Sequence, residues 1–226
     1  PANLARRVVE GVEGGMKDGH AGSVKLAWVG ATGQAVTSDI ASSMGLAKPG
    51  GVLIKDVYPD GPLARAGIGS GDVVDSVDGA AVDDMQSLNY RTATHRAGDK
   101  VKLHVTSNGK ARDVIVTLAL PPENPPRDLR TVGGRNPLTG AKIENVSPAT
   151  ATELQIDLMS KGVAVVSIDD APIAANFGFQ AGDIVRSVNG QRVGNVGDLL
   201  RLLNGVGRWS MVIERGGRQL TLSVQR

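Results

Sequence analysis

Gly51 to Gly79 reads GVLIKDVYPDGPLARAGIGSGDVVDSVDG, and Gly162 to Gly190 reads GVAVVSIDDAPIAANFGFQAGDIVRSVNG. The second stretch repeats the first without a gap, at a constant offset of 111 residues from Gly51 to Gly162. Val52 to Val57 is an apolar-rich run with one charged pair and Val163 to Ile168 is almost wholly β-branched, which suits half-buried to fully buried strands. Pro62 opens a helical turn and Gly67 closes it in the left-handed conformation; Pro172, one place earlier, and Gly178 do so in the second copy. Val73, Val74 and Val77 then form a strand that ends in Asp78-Gly79, matched by Asn189-Gly190, and both pairs tolerate the positive φ of a hairpin turn. Two copies predict two domains of one kind.

Working outward, residues 1 to 20 place Leu4, Val8, Val9 and Val12 at helical spacing after Asn3, an N-cap. Glycines up to Gly22 then give a flexible lead into a first domain spanning residues 21–120. A strand is expected within Val24 to Ala35, and a helix from Thr37 carrying Ile40 and Met44 inward. After the repeated core, Asp83 or Asp84 caps a helix reaching Thr94, with Met85, Leu88 and Thr92 on one face. Val101, Leu103 and Val105 alternate as a strand, Asn108-Gly109 turns it, and Val114, Val116 and Leu118 return. PPENPP, within residues 121–131, cannot join a helix interior or a central strand and reads as a semi-rigid interdomain linker. The second domain, 132–226, repeats the order, with helices near Thr150 to Leu154 and Val196 to Leu203 and a hairpin from Trp209 to Val224 turning at Gly216-Gly217. The fold class is mainly β with short helices, α+β, in two similar domains.

Composition narrows the chemistry. The chain has 25 basic and 23 acidic side chains, a balance that offers phosphate backbones no strong field, so nucleic acid is not an expected partner. The absence of cysteine excludes disulfides and thiolate metal sites. No apolar run approaches the ~20 residues that span a bilayer as a helix. A start at Pro1 without Met reads as a fragment. His20, His95 and His104 lie far apart, without the i, i+3 or i+4 spacing of a metal pair, and no G-x-S-x-G or Gly-Asp/Asn-Ser-Gly surrounds a nucleophile. Neither a catalytic triad nor a cofactor is expected within the chain. Asp83-Asp84 and Asp169-Asp170 read as caps and solvated turns, and Asp72 and Asp183 as turn-stabilising side chains before a strand.

What remains is main-chain chemistry. A Φ-G-Φ turn at the head of an exposed strand aims consecutive N–H groups at one point, a nest for a terminal carboxylate. Val29-Gly30-Ala31 fits, and Thr139-Gly140-Ala141 recurs in the same order relative to the repeated core. An extended peptide would pair antiparallel with Ala31 to Ala35, its last side chain entering a gap between that strand and the helix after Asp84.

The order W-V-G-A (Trp28 to Ala31), G-V-L-I-x-x-V-x-P (Gly51 to Pro59), A-x-A-G-I-x-x-G-D-V-V (Ala64 to Val74) and V-D-G-x-x-V (Val77 to Val82) resembles the PDZ domains of bacterial HtrA, or DegP-like, serine proteases. Pro1-Ala2-Asn3-Leu4 is similar to the end of the protease domain in that family. The resemblance implies two circularly permuted PDZ domains, each a small, partly open β-barrel with two helices. It also implies a periplasmic protease that captures C-termini of unfolded proteins and assembles as an oligomer. It assigns carboxylate binding to Trp28, Val29, Gly30 and Ala31, with Lys25 either assisting the anion or standing as a solvated strand residue. Thr32, Gly33, Ala35, Leu88 and Thr92 would line the peptide groove. Ala31 and Ala141 stand where the family carries a larger residue, and Thr139 is more polar than its counterparts. The second loop, Leu138, Thr139, Gly140 and Ala141, therefore binds peptide or serves an oligomer contact. A tandem-PDZ scaffold without a protease, and the PDZ pair of a membrane-embedded metalloprotease, are the competing readings.

Overall fold

The computed structural model describes residues 26–204 and 207–225. The helix expected within residues 1–20, and Lys25, lie outside them. The chain divides between Pro121 and Pro122 into two compact units.

The first unit runs β1 (Ala31–Ala35), α1 (Ser38–Ser43), β2 (Val52–Val57), α2 (Pro62–Arg65), β3 (Val73–Val77), β4 (Ala80–Ala81), α3 (Met85–Ala93), β5 (Lys100–Ser107) and β6 (Lys110–Thr117). Its antiparallel sheet has the order β1-β2-β3-β5-β6, with β4 paired to β3, so β1 and β6 are the edges. The second unit runs β7 (Arg130–Thr131), β8 (Lys142–Asn145), α4 (Pro148–Glu153), β9 (Val163–Ser167), α5 (Pro172–Asn176), β10 (Ile184–Val188), β11 (Gln191–Arg192), α6 (Val196–Leu203), β12 (Arg208–Arg215) and β13 (Arg218–Gln225). Its sheet order is β13-β12-β10-β9-β8-β7, with β11 on β10. Each sheet is open. The fold is mainly β with short helices, as the sequence predicts.

The repeated segment builds both units in the same way. Pro62 and Pro172 sit in the first turns of α2 and α5, and Gly67 and Gly178 adopt φ of 71° and 81° just beyond those helices. The Asp72 carboxylate accepts the Gly69 N–H at 2.9 Å and the Asp183 carboxylate accepts the Gln180 N–H at 2.8 Å, the turn-holding role expected of both. Thr37 caps α1, and Asp84 closes a capping box with Ser87 on α3. Each unit buries its own aliphatic cluster: Val29, Val52, Ile54, Leu63, Val74, Leu88 and Leu103 among others in the first, and Val132, Leu138, Ile143, Val165, Leu199 and Trp209 in the second.

Three details depart from the sequence reading. The strand expected within Val24 to Ala35 is only Ala31–Ala35, with Trp28 joined to Ala119 by an isolated bridge, because the positive φ of Gly30 (77°) interrupts the extended backbone. Helix α4 begins at Pro148, earlier than expected, because Ser147 caps it and Pro148 suits a first turn. The segment read as a linker contributes β7, which pairs with β8.

Candidate functional site: the outer edge of the first sheet

The loop Trp28 to Ala31 is shaped by what grips its carbonyl oxygens. Tyr58 N–H donates to the Gly30 carbonyl at 2.8 Å, and Leu63 N–H, in the first turn of α2, donates to the Val29 carbonyl at 3.0 Å. With both carbonyls held from this side, the amides of Val29 and Gly30 are left over. Among the described residues neither donates to a backbone acceptor. The bond from Tyr58 to Gly30 flanks the Ala31↔Val57 pair and makes it a non-hydrogen-bonded pair, so Ala31 turns its own N–H and C=O to the outer edge of β1. Three successive amides thus stand beside an edge strand that, among the described residues, pairs only with β2.

Gly30 admits no other residue without strain. Its φ is 77°, and a Cβ there would lie 3.0 Å from the Trp28 ring and 3.2 Å from the Gly61 Cα. Trp28 folds over this glycine and meets Tyr58 edge to face, with centroids 5.7 Å apart. Its ring is therefore part of the loop's support.

Along β1 the side chains alternate. The Thr32 hydroxyl donates to the Asp56 carboxylate at 3.2 Å on the exposed face, while Ala31 belongs to the core. Gly33 approaches so closely that a Cβ would lie 2.9 Å from the Val52 side chain and 3.2 Å from the Met85 sulfur. Gln34 and Ala35 are exposed. On α3, Leu88 and Thr92 are wholly buried, and the Thr92 hydroxyl donates to the Leu88 carbonyl at 3.0 Å. The expected groove residues thus come together along β1 and the facing side of α3, but Leu88 and Thr92 form its closed floor. Sequence reasoning named Met85 only as a helix-face residue; the structure sets its sulfur against Gly33 of β1.

The second loop is built differently. Leu138 N–H donates to the Asn136 side chain at 3.0 Å, Thr139 N–H to the Asn136 carbonyl at 3.2 Å, Gly140 N–H to the Val132 carbonyl at 2.8 Å and Ala141 N–H to the Leu138 carbonyl at 2.9 Å. All four amides are already satisfied within the fold. The edge of β8 that corresponds to the open edge of β1 carries β7, with Arg130 opposite Ile143 and Thr131 opposite Lys142.

The segment leading into β7 is fastened as well. Asn145 N–H donates to the Arg127 carbonyl at 2.6 Å, and its side-chain amide donates to the Pro126 carbonyl at 2.7 Å. The Arg127 guanidinium, largely buried, binds Glu153 through two nitrogens and also faces Glu144 and Glu123 at 3.7 and 3.4 Å. The Glu153 bonds, with the other carboxylates, hold its pKa above the ordinary arginine value against the opposing effect of burial.

Open antiparallel sheets of this order, each with a glycine loop heading one strand and a helix laid over it, define a tandem of PDZ-type modules. Models of the PDZ domain match residues 29–118 and 165–226, and the chain belongs to the PDZ family, with two such domains. Its curated relatives are of the HtrA, or DegP-like, kind. It is 33% identical over 223 residues to a probable periplasmic serine endoprotease, DegP-like, of Brucella suis biovar 1 (strain 1330), covering 98% of this chain and 40% of the relative. It is 36% identical over 183 residues to a protein of the same description from Halomonas elongata, covering 80% and 38%. The chain thus spans about two fifths of the length of these relatives. Among solved structures, the HtrA-type protease AlgW with decapeptide matches at 30% identity and a TM-score of 0.43, over 54% of this chain and 36% of that one.

Proposed function

We propose that the chain is the peptide-recognition region of an HtrA-type periplasmic serine endoprotease, and that its first domain captures the free carboxyl ends of unfolded or misfolded proteins. One observation supports this reading: among the described residues, the successive amides of Val29, Gly30 and Ala31 have no backbone partner and stand at the head of a strand whose other edge alone is paired. A terminal carboxylate accepts from them, and the last residue of the peptide donates its N–H to the outward carbonyl of Ala31. Upstream residues continue antiparallel along β1, which is strand addition with a carboxylate anchor. The relatives' description as periplasmic serine endoproteases supports the compartment and a catalytic domain elsewhere in the parent protein. In that parent the tandem would regulate proteolysis and oligomer assembly while carrying no triad itself.

The energetics suit transient capture. Main-chain bonds contribute roughly 0.5–1.5 kcal/mol net each, and one buried aliphatic side chain about 1.5–3 kcal/mol. Ordering the peptide offsets much of this. Micromolar affinity, about −8 kcal/mol, is the expected result. Titrating a peptide with a hydrophobic last residue against its C-terminal amide tests the reading. The acid should bind at least about tenfold tighter, a difference of about 1.4 kcal/mol; equal affinity would end the carboxylate assignment.

A further inference from the structure

The two sheets share a register down to an irregularity. In the first, Thr32 pairs with Asp56 and Gly33 with Ile54, with a bulge between them; in the second, Lys142 pairs with Ser167 and Ile143 with Val165, with the bulge at the same place. Gly140 and Ala141 therefore correspond to Gly30 and Ala31, and the outer edge of β8 corresponds to the outer edge of β1.

On that outer edge lies Arg130-Thr131-Val132, antiparallel to β8. Val132 N–H donates to the Ala141 carbonyl at 2.8 Å, the counterpart of the Ala31 carbonyl that faces outward in the first domain. The Val132 carbonyl oxygen accepts the Gly140 N–H at 2.8 Å, standing where a carboxylate oxygen would stand on the Gly30 amide. The Val132 side chain is 1% exposed and belongs to the cluster that holds Leu138, Ala141, Ile143 and Leu203. Thr131 and Arg130 occupy the two preceding ligand positions, opposite Lys142 and Ile143. Beyond Val132 the chain passes through Gly133 and Gly134, the latter at φ 84°, and returns to Leu138.

From this geometry we infer that the second domain holds a second peptide-binding groove, loaded in cis by Arg130-Thr131-Val132, with Val132 in the place of the terminal residue. The inference rests on the proposed reading of the β1 edge as a peptide site. The internal segment defines the ligand chemistry: an extended chain whose last residue is a β-branched aliphatic one, its carbonyl or carboxylate oxygen set on the Gly140 amide. The ion-pair cluster at Arg127 fastens the near end of this strap and the buried Val132 side chain fastens the far end. A ligand in trans enters only when the strap lifts, and its apparent affinity falls by the fraction of time the groove is open.

The test uses the full 226-residue chain, isotope-labelled, and a synthetic peptide of the strap's own sequence, Asp-Leu-Arg-Thr-Val with a free carboxylate. In the unaltered chain the peptide should shift the amide signals of Val29 to Thr32 and leave Gly140 to Lys142 in place. In Val132→Asp, where the strap carries a charge that the groove cannot bury, Gly140 to Lys142 should respond, with affinity there raised about tenfold or more. Should the carboxylate unfold the second domain, Val132→Pro removes the donated N–H and fixes the local backbone while keeping an apolar side chain. A folded variant in which Gly140 to Lys142 ignore the peptide while Val29 to Thr32 respond would overturn the inference and leave the first-domain reading standing. An equal response of Gly140 to Lys142 with and without the substitution would also overturn it, since the strap would then exclude nothing. If neither set responds in any form, the reading of the β1 edge fails and the inference falls with it.

Discussion

Among the described residues, the glycine-loop amides of the first domain and the strand edge beside them have no backbone partner, whereas the second domain covers the same edge with Arg130 and Thr131 of its own chain. The core segments are gapless copies, and even the bulge recurs. The difference lies in what covers the edge in the second domain, residues 130–132. They double back as β7 and end in a buried valine. On the proposed reading, recognition at this edge depends on what happens to its main-chain donors, and a neighbouring segment such as β7 would occupy them without altering the core.

The largest effect that would break this contrast is predicted at Arg127. Replacing it with alanine removes the guanidinium that binds Glu153 through two nitrogens and faces Glu144 and Glu123. Hydrogen bonds to charged groups contribute about 1.5–3 kcal/mol. Denaturant unfolding should show that loss in the second domain alone. Next comes Gly30→Ala. A side chain at φ 77° costs about 1–2 kcal/mol, and its Cβ presses on the Trp28 ring. Peptide binding should be lost and the first domain's Tm lowered, while the second domain melts unchanged.

A smaller contrast lies in the helix caps. The carboxylate of Asp84 caps α3, accepting the Ser87 N–H at 2.7 Å, and this bond holds its pKa below the ordinary value of 3.8. The amide of Asn195 caps α6 by accepting the Asp198 N–H at 2.9 Å, and it does not titrate. A depressed carboxylate pKa contributes stability that is complete above the unfolded-state value and lost as pH falls through the folded value. Acid titration followed by hydrogen exchange should therefore loosen the first turn of α3 below about pH 4. In α6 the Asp198 carboxylate also accepts from Gly194 N–H and the Asn195 side chain, so the discriminating test is Asp84→Asn, which should remove the acid-induced loosening of the first turn of α3; loosening that persists in this variant would contradict the assignment.

Much of this was legible in the sequence because it depends on local rules. Pro62, Gly67, Asp78-Gly79 and Asp84 each do locally what their chemistry dictates, and the repeat doubled every such signal. The β1 loop was a weaker signal: a glycine flanked by apolar residues is by itself most often a strand kink, and its weight came from its recurrence as Thr139-Gly140-Ala141. The strap was not legible. Arg130 and Thr131 make a two-residue strand with no periodicity to read, placed after a proline-rich run that pointed to an extended linker. Its pairing depends on Arg127 finding Glu144 and Glu153, contacts between residues distant in sequence. The closed floor at Leu88 and Thr92 was likewise beyond sequence, because spacing tells which residues share a face and not how closely Met85 and Gly33 approach.

Amide hydrogen exchange at the two glycines tests the central claim most directly. Without peptide, the Gly140 N–H, bonded to Val132, should exchange slowly and the Gly30 N–H quickly; a peptide with a free hydrophobic C-terminus should slow Gly30 and leave Gly140 as it was. Strong protection of Gly30 in the absence of any ligand, or no change there at saturating peptide, would contradict the account.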